Sequence, residues 1–91
     1  MSGTYKEKEE SRKQYDHLKC IEELNELATV LMQQFNKPHK DLSGAVVEEL
    51  GDVYYRLDNV MDYYDEDSVL ARKLHKADRC DPVRSRKTDA C

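Results

Sequence analysis

The chain has 91 residues, a net charge of −4, 38% hydrophobic residues and 37% charged residues. That length holds one small domain, which buries roughly two thirds of its unfolded surface at best, so the thin apolar content predicts a core completed by self-association. The lack of a basic excess excludes nucleic acid as the expected partner, and no apolar run approaches the ~20 residues of a membrane span.

The first twelve residues are polar, with Lys6-Glu7-Lys8-Glu9-Glu10-Ser11-Arg12 offering nothing to bury. Residues 1–12 are expected to form a flexible N-terminal segment that frays into a helix. From about Lys13 to Phe35 the apolar residues Tyr15, Leu18, Ile21, Leu24, Ala28, Leu31 and Phe35 recur at spacings of three and four, with no Gly or Pro between them. That is the period of an amphipathic helix. Pro38 ends it, because proline disfavours helical backbone at the preceding Lys37.

Lys40 to Gly44 is a short connection. Asp41 and Ser43 are both candidate caps for the next helix, and Ser43 is preferred because Ala45-Val46-Val47 follows at once. A second helix is predicted from about Gly44 to Tyr64, on Val46, Val47, Leu50, Val53, Tyr54, Leu57, Val60 and Met61. Two helices joined by so short a loop are expected to be antiparallel neighbours. Asp65-Glu66-Asp67-Ser68 offers a cap, and a third, shorter helix carrying Val69, Leu70 and Leu74 runs to about Arg79. The helical domain is thus 13–79, and the polar stretch 80–91 is expected to be a disordered tail. The predicted fold is all-α: an antiparallel helical hairpin plus a shorter third helix, completed as a helical bundle by self-association. Cys20, Cys80 and Cys91 match no zinc or disulfide framework and no signal peptide precedes them, so three free thiols in a reducing cytoplasm are expected.

Two stretches share a pattern. Glu22-Glu23-Leu24-Asn25-Glu26-Leu27 and Glu48-Glu49-Leu50-Gly51-Asp52-Val53 both read Glu-Glu-Leu-x-acid-apolar. Each places two acids three residues apart on one helical face. At about 100° per residue, Glu23 and Glu26 lie at about −100° and −160° from Leu24, and Glu49 and Asp52 lie at the same angles from Leu50. The predicted core stripes are centred on Leu24 and Leu50, so each acid pair begins at a stripe edge and runs outward. Such acids are common on the flanks of amphipathic helices. Their matched placement on two neighbouring helices instead suggests a cluster of four carboxylates, suited to a hard divalent cation. Lys19, Arg56 and Asn59 lie on the acid side too. Lys19 and Arg56 read either as salt-bridge partners or as contacts to the phosphate or sugar of a substrate. Gly51, costly inside a helix, suggests close approach by another helix or by a substrate. Tyr54, Tyr55, Tyr63 and Tyr64 are read as packing residues in preference to a base-stacking ring, and His17, His39 and His75 as surface residues.

At these residues the chain resembles the MazG-like all-α nucleoside triphosphate pyrophosphohydrolases, in their short phage and bacterial form. Glu23-Leu24-Asn25-Glu26, a spacer of 22 residues, then Glu49-Leu50-Gly51-Asp52 follow that family's Glu-x-x-Glu and Glu-x-x-Asp motifs. The likeness runs from about Tyr15 to Arg79. It includes Leu18-Lys19-Cys20-Ile21 before the first motif, Tyr54-Tyr55-Arg56-Leu57-Asp58-Asn59 after the second, and Val69 to Lys76 in the third helix, where His75-Lys76 stands in place of the more common Asn-Arg. The resemblance implies hydrolysis of (deoxy)nucleoside triphosphates to monophosphate and pyrophosphate. It implies Mg²⁺, with Mn²⁺ as a substitute, on Glu23, Glu26, Glu49 and Asp52, the general base being one of these carboxylates or a metal-activated water. It further implies Lys73, Lys76 and Arg79 on the triphosphate, Asn59 near the substrate, and a homodimer or dimer of dimers in the cytoplasm. The alternative is a non-catalytic helical nucleotide-binding or oligomerisation module of the same fold.

Overall fold

A computed structural model of the protein describes residues 5–80. They form three α-helices: α1, Tyr5–Asn36; α2, Ser43–Met61; and α3, Glu66–Cys80. The described residues are all-helical as expected. α1 starts well before the predicted Lys13, because residues 6–12 are strong helix formers such as Lys, Glu and Arg that need no burial to extend an existing helix. At about 1.5 Å per residue α1 is about 48 Å long and α2 about 28 Å, so α1 overhangs its partner. The expected tail lies outside the described residues, except Cys80.

Local chemistry fixes the breaks. After Asn36, the Lys37 N–H still bonds back to the Gln33 carbonyl (2.9 Å), and Lys40 N–H closes a turn on the Lys37 carbonyl (3.0 Å) around Pro38. The Gln34 side chain then staples the loop. Its amide donates to the Lys40 carbonyl (2.8 Å) and its oxygen accepts from the Leu42 N–H (3.1 Å). Neither candidate is the cap of α2: the preferred Ser43 is already its first residue, Leu42 holds the cap position without a side-chain bond, and Asp41 accepts from both the N–H (3.0 Å) and the hydroxyl (2.7 Å) of Ser43. Those two bonds hold the Asp41 carboxyl below its ordinary range. The second helix stops at Met61, short of the expected Tyr64. Tyr63 and Tyr64 instead donate their N–H groups to the carbonyls of Val60 (3.0 Å) and Met61 (3.1 Å), a tighter turn. Asp65 caps α3 as its position predicts, accepting from the Ser68 N–H (3.1 Å) and hydroxyl (2.5 Å).

The hairpin is antiparallel and latched at both ends. Gln34 holds the loop end. At the other, the Tyr63 hydroxyl donates to Asp16 Oδ2 (2.7 Å), and His17 Nε2 is 2.7 Å from the Tyr64 hydroxyl. His17 Nδ1 lies 2.6 Å from the Lys13 carbonyl. A carbonyl only accepts, so Nδ1 carries a proton and, in the neutral ring, Nε2 receives the Tyr64 hydrogen. His17 is therefore partly buried and bonded, where the sequence suggested a surface residue.

Between these latches the interface is narrow. Cys20 and Val53 are the buried hydrophobic residues among those described. Leu27, Val30, Val46 and Val60 are half-buried around them. By the angular reckoning above, this packed face is centred near −75° on both helices. It is rotated away from the stripes expected around Leu24 and Leu50, which stay largely open: Phe35 is 79% exposed and Tyr54 69%. The acid pairs thus begin inside the packed face and not outside it. α3 contains no buried residue, so a bundle is not complete within one chain. Among the described residues nothing lies within 4 Å of a Cβ placed on Gly51, so none of them explains that glycine by a close approach. Cys20 is a free thiol, whereas Cys80 is disulfide-bonded, which corrects the expectation of three free thiols; Cys91 lies outside the described residues. No helix among the described residues is long and apolar enough to cross a membrane.

Candidate metal centre

The shifted packing phase determines what happens to the acids. With the interface near −75°, Glu23 and Glu49 at about −100° stand within its rim, and Glu26 and Asp52 at about −160° stand outside it. Both glutamates are half-buried. One oxygen of each, Glu23 Oε1 and Glu49 Oε1, is shielded from solvent and has no hydrogen-bond partner. Antiparallel packing puts equal angles on the same side of a hairpin, so the two acid pairs converge. Glu23, Glu49 and Asp52 each offer a carboxylate oxygen, and the three oxygens lie within 4.8 Å of one another.

Charges this close raise one another's proton affinity. Burial pushes the Glu23 carboxyl above its ordinary value, Glu26 and Asp52 push it further, and Arg56 pulls it back. Burial raises Glu49 likewise, followed by the charges of Glu26, Asp52 and Glu23. Glu26 is outside the close triad but acts on both raised groups. It also lines, with Glu49, Asn25, Thr29 and Val30, an open groove of about 350 Å³ beside the cluster. The Thr29 hydroxyl in that groove donates to the Asn25 carbonyl (2.9 Å).

A partnerless, shielded carboxylate oxygen is unfavourable unless a proton or a cation meets it. Two such oxygens in an all-oxygen triad fit a hard divalent ion such as Mg²⁺, which takes carboxylate and water ligands. The donor set contains no sulfur or imidazole that would favour a softer metal.

The other sequence-derived candidates are dispersed. Lys19 Nζ pairs with Glu22 (3.3 Å) and lies 5.6 Å from the centre of the Tyr15 ring, so of its two readings the ion pair is the one observed. Arg56 sits on the cluster side of α2, where its charge reaches Glu23, and its guanidinium lies 5.1 Å from the centre of the Tyr55 ring. Asn59 is half-buried on the same helix. Lys73, Lys76 and Arg79 are exposed along α3, and no ion pair joins them to the acids among the described residues. The groove residues Asn25, Thr29 and Val30 escaped the sequence reading. Their signal was only that they neighbour Glu26 on the helix surface.

Fold and site together define a helical hairpin with three clustered carboxylates, Glu23, Glu49 and Asp52, close enough together to hold a metal ion. No family model, curated protein or solved structure matches the chain. The resemblance to MazG-like pyrophosphohydrolases therefore rests on the motifs themselves.

Proposed function

We infer that the protein is a Mg²⁺-dependent nucleoside triphosphate pyrophosphohydrolase of MazG-like type. The observation that carries this reading is the convergence of Glu23, Glu49 and Asp52, with two shielded and unpartnered oxygens, from the two motifs that the family pattern singles out. Glu23, Glu49 and Asp52 would hold the cation, with Glu26 beside them. A divalent ion bound there supplies charge neutralisation and Lewis acidity toward phosphate oxygens and water.

The chain's own residues supply the rest. One of these carboxylates, or a water activated by the ion, would take up the proton of the attacking water. The water oxygen bonds to phosphorus as a phosphoanhydride bond breaks, giving monophosphate and pyrophosphate. The groove of Asn25, Glu26, Thr29, Val30 and Glu49 gives the substrate an open approach. Arg56 and Asn59, further along α2, would contact the substrate, and Lys73, Lys76 and Arg79 would provide the counter-charge for the triphosphate from α3. A homodimer or dimer of dimers in the cytoplasm belongs to the same proposal.

The test is pyrophosphate release from a panel of nucleoside and deoxynucleoside triphosphates with Mg²⁺, alongside Glu49→Gln. Release by the native chain and its loss in the folded variant is expected. Folded native protein that releases none from any substrate would leave the non-catalytic helical module as the better account.

A further inference from the structure

The groove beside the acid cluster is short of hydrogen-bond donors. Its polar lining is Asn25, Glu26 and Thr29 from α1 and Glu49 from α2. The two carboxylates, when ionised, only accept. The Thr29 hydroxyl has given its one hydrogen to the Asn25 carbonyl (2.9 Å), so it too can only accept. The backbone N–H groups along these stretches are spent inside the two helices. Among the described residues lining the groove, the Asn25 carboxamide is the one remaining side-chain donor, and none is a lysine, arginine or histidine.

The same groove has an apolar wall. Val30 lines it half-buried, and Thr29 adds its methyl beside the spent hydroxyl. A volume of about 350 Å³ lies at the lower end of the range for small-molecule sites. A flat ring with donors on its edge matches this lining, its face against the methyls and its edge toward the acceptors. Glu49 belongs both to the groove and to the close triad, so a ligand anchored at the triad through an ion has its other end within reach of the groove. Glu26 lines the groove and stands outside the triad, which leaves its carboxylate for that other end.

We propose that the groove takes the base of a bound nucleoside triphosphate, and that Glu26 selects bases with an exocyclic amino group (cytosine, adenine and guanine) over uracil and thymine. The inference rests on the pyrophosphohydrolase reading above and adds the class of base to it. An exocyclic amino group gives its N–H to a carboxylate, as in the pairing of glutamate with cytosine. Uracil and thymine instead carry a carbonyl oxygen on each side of a single N–H. Asn25 can donate to one of those oxygens. The other meets only acceptors, and a polar group that loses water without gaining a partner weakens binding. Sites built on such complementarity reject the analogue that lacks the matching group more strongly than apolar pockets reject a change of size.

The test is calorimetric binding of non-hydrolysable 2′-deoxynucleoside α,β-imidotriphosphates of all five bases to the full chain with Mg²⁺, for native protein and Glu26→Gln. The cytosine, adenine and guanine compounds are expected to bind native protein about tenfold more tightly than the other two. In Glu26→Gln the new amide N–H meets the keto oxygens, so that ratio should fall toward one. If Glu26 serves the ion instead, the variant weakens all five alike and keeps the ratio, which overturns the proposal, as do equal affinities in native protein. If Glu26→Gln does not fold, amide NMR shifts of the native chain decide: those of Asn25, Thr29 and Val30 must differ between the cytosine and uracil compounds, and identical shifts overturn the proposal. The expected preference without pyrophosphate release from the hydrolysable triphosphates upholds the base selection and overturns only the enzymatic reading. Failure of all five compounds to bind overturns both.

Discussion

Glu49 concentrates the conflict in this molecule. Its oxygen is shielded, unpartnered and ringed by Glu26, Asp52 and Glu23, an arrangement that opposes folding unless something cationic joins it. Glu49→Gln keeps the shape and removes one charge, so it should raise the Tm of the metal-free protein at neutral pH. The folded-state pKa is raised above the ordinary 4.5, so the contribution of Glu49 is complete below that value and is lost as pH rises through the raised one. The Tm difference between Glu49→Gln and native protein should accordingly be near zero at about pH 4 and grow toward pH 7. A difference that does not change with pH would contradict this account of the cluster. Tyr63 gives a second titration, at the alkaline end. Its hydroxyl donates to Asp16, which lifts its pKa to about 12 from an ordinary 10.0. That bond stabilises the fold fully below pH 10 and fades as pH rises through about 12. Native protein should therefore be more stable than Tyr63→Phe at neutral pH, with the gap closing over that window in thermal melts.

Among the elements, the hairpin is held by a few bonds at its ends and a thin strip between. Gln34 is the most concentrated of these, satisfying the Lys40 carbonyl and the Leu42 N–H with one side chain. Gln34→Ala should destabilise the protein by about 1–2 kcal/mol, from two hydrogen bonds of ordinary strength. In a domain of this size that lowers Tm by roughly 5–10 °C, and no change in a thermal melt would show that water replaces the clamp. Local chemistry in the sequence was enough to place the breaks: Pro38 stops α1, and the Asp65–Ser68 turn starts α3. It misplaced the cap of α2: the apolar run after Ser43 favours that residue, yet Ser43 is the first helical residue and Leu42 holds the cap position without a side-chain bond. The bonds of Asp16, His17 and Gln34 were illegible for another reason. The first two reach partners 47 residues away, which only the hairpin register brings near. The early start of α1 left no apolar period to detect.

In the whole molecule, the phase of packing is what the sequence could not supply. Apolar periodicity says which residues avoid water, and both Val53 and Leu50 satisfy it. It does not say which of them meets the other helix of the hairpin and which waits for a different surface. The choice made here, with Val53 buried and Leu50 exposed, draws Glu23 and Glu49 into the rim and gathers three of the four matched acids within ligand reach. The pairing of the motifs was readable from their common angles, whereas the shielding that makes them chemically notable was not. It also gives the hairpin two opposed flanks, one acidic and one apolar. The central claim, that the acidic flank binds a divalent cation, is tested most directly by following Tm while Mg²⁺ or Mn²⁺ is added to native protein and to Glu49→Gln. Ion binding to the folded state alone stabilises it by about 1.4 kcal/mol when the ion stands at ten times its Kd. The native Tm should climb by several degrees over millimolar metal while that of Glu49→Gln barely moves. A native Tm that stays flat, or an equal climb in both proteins, would contradict the claim.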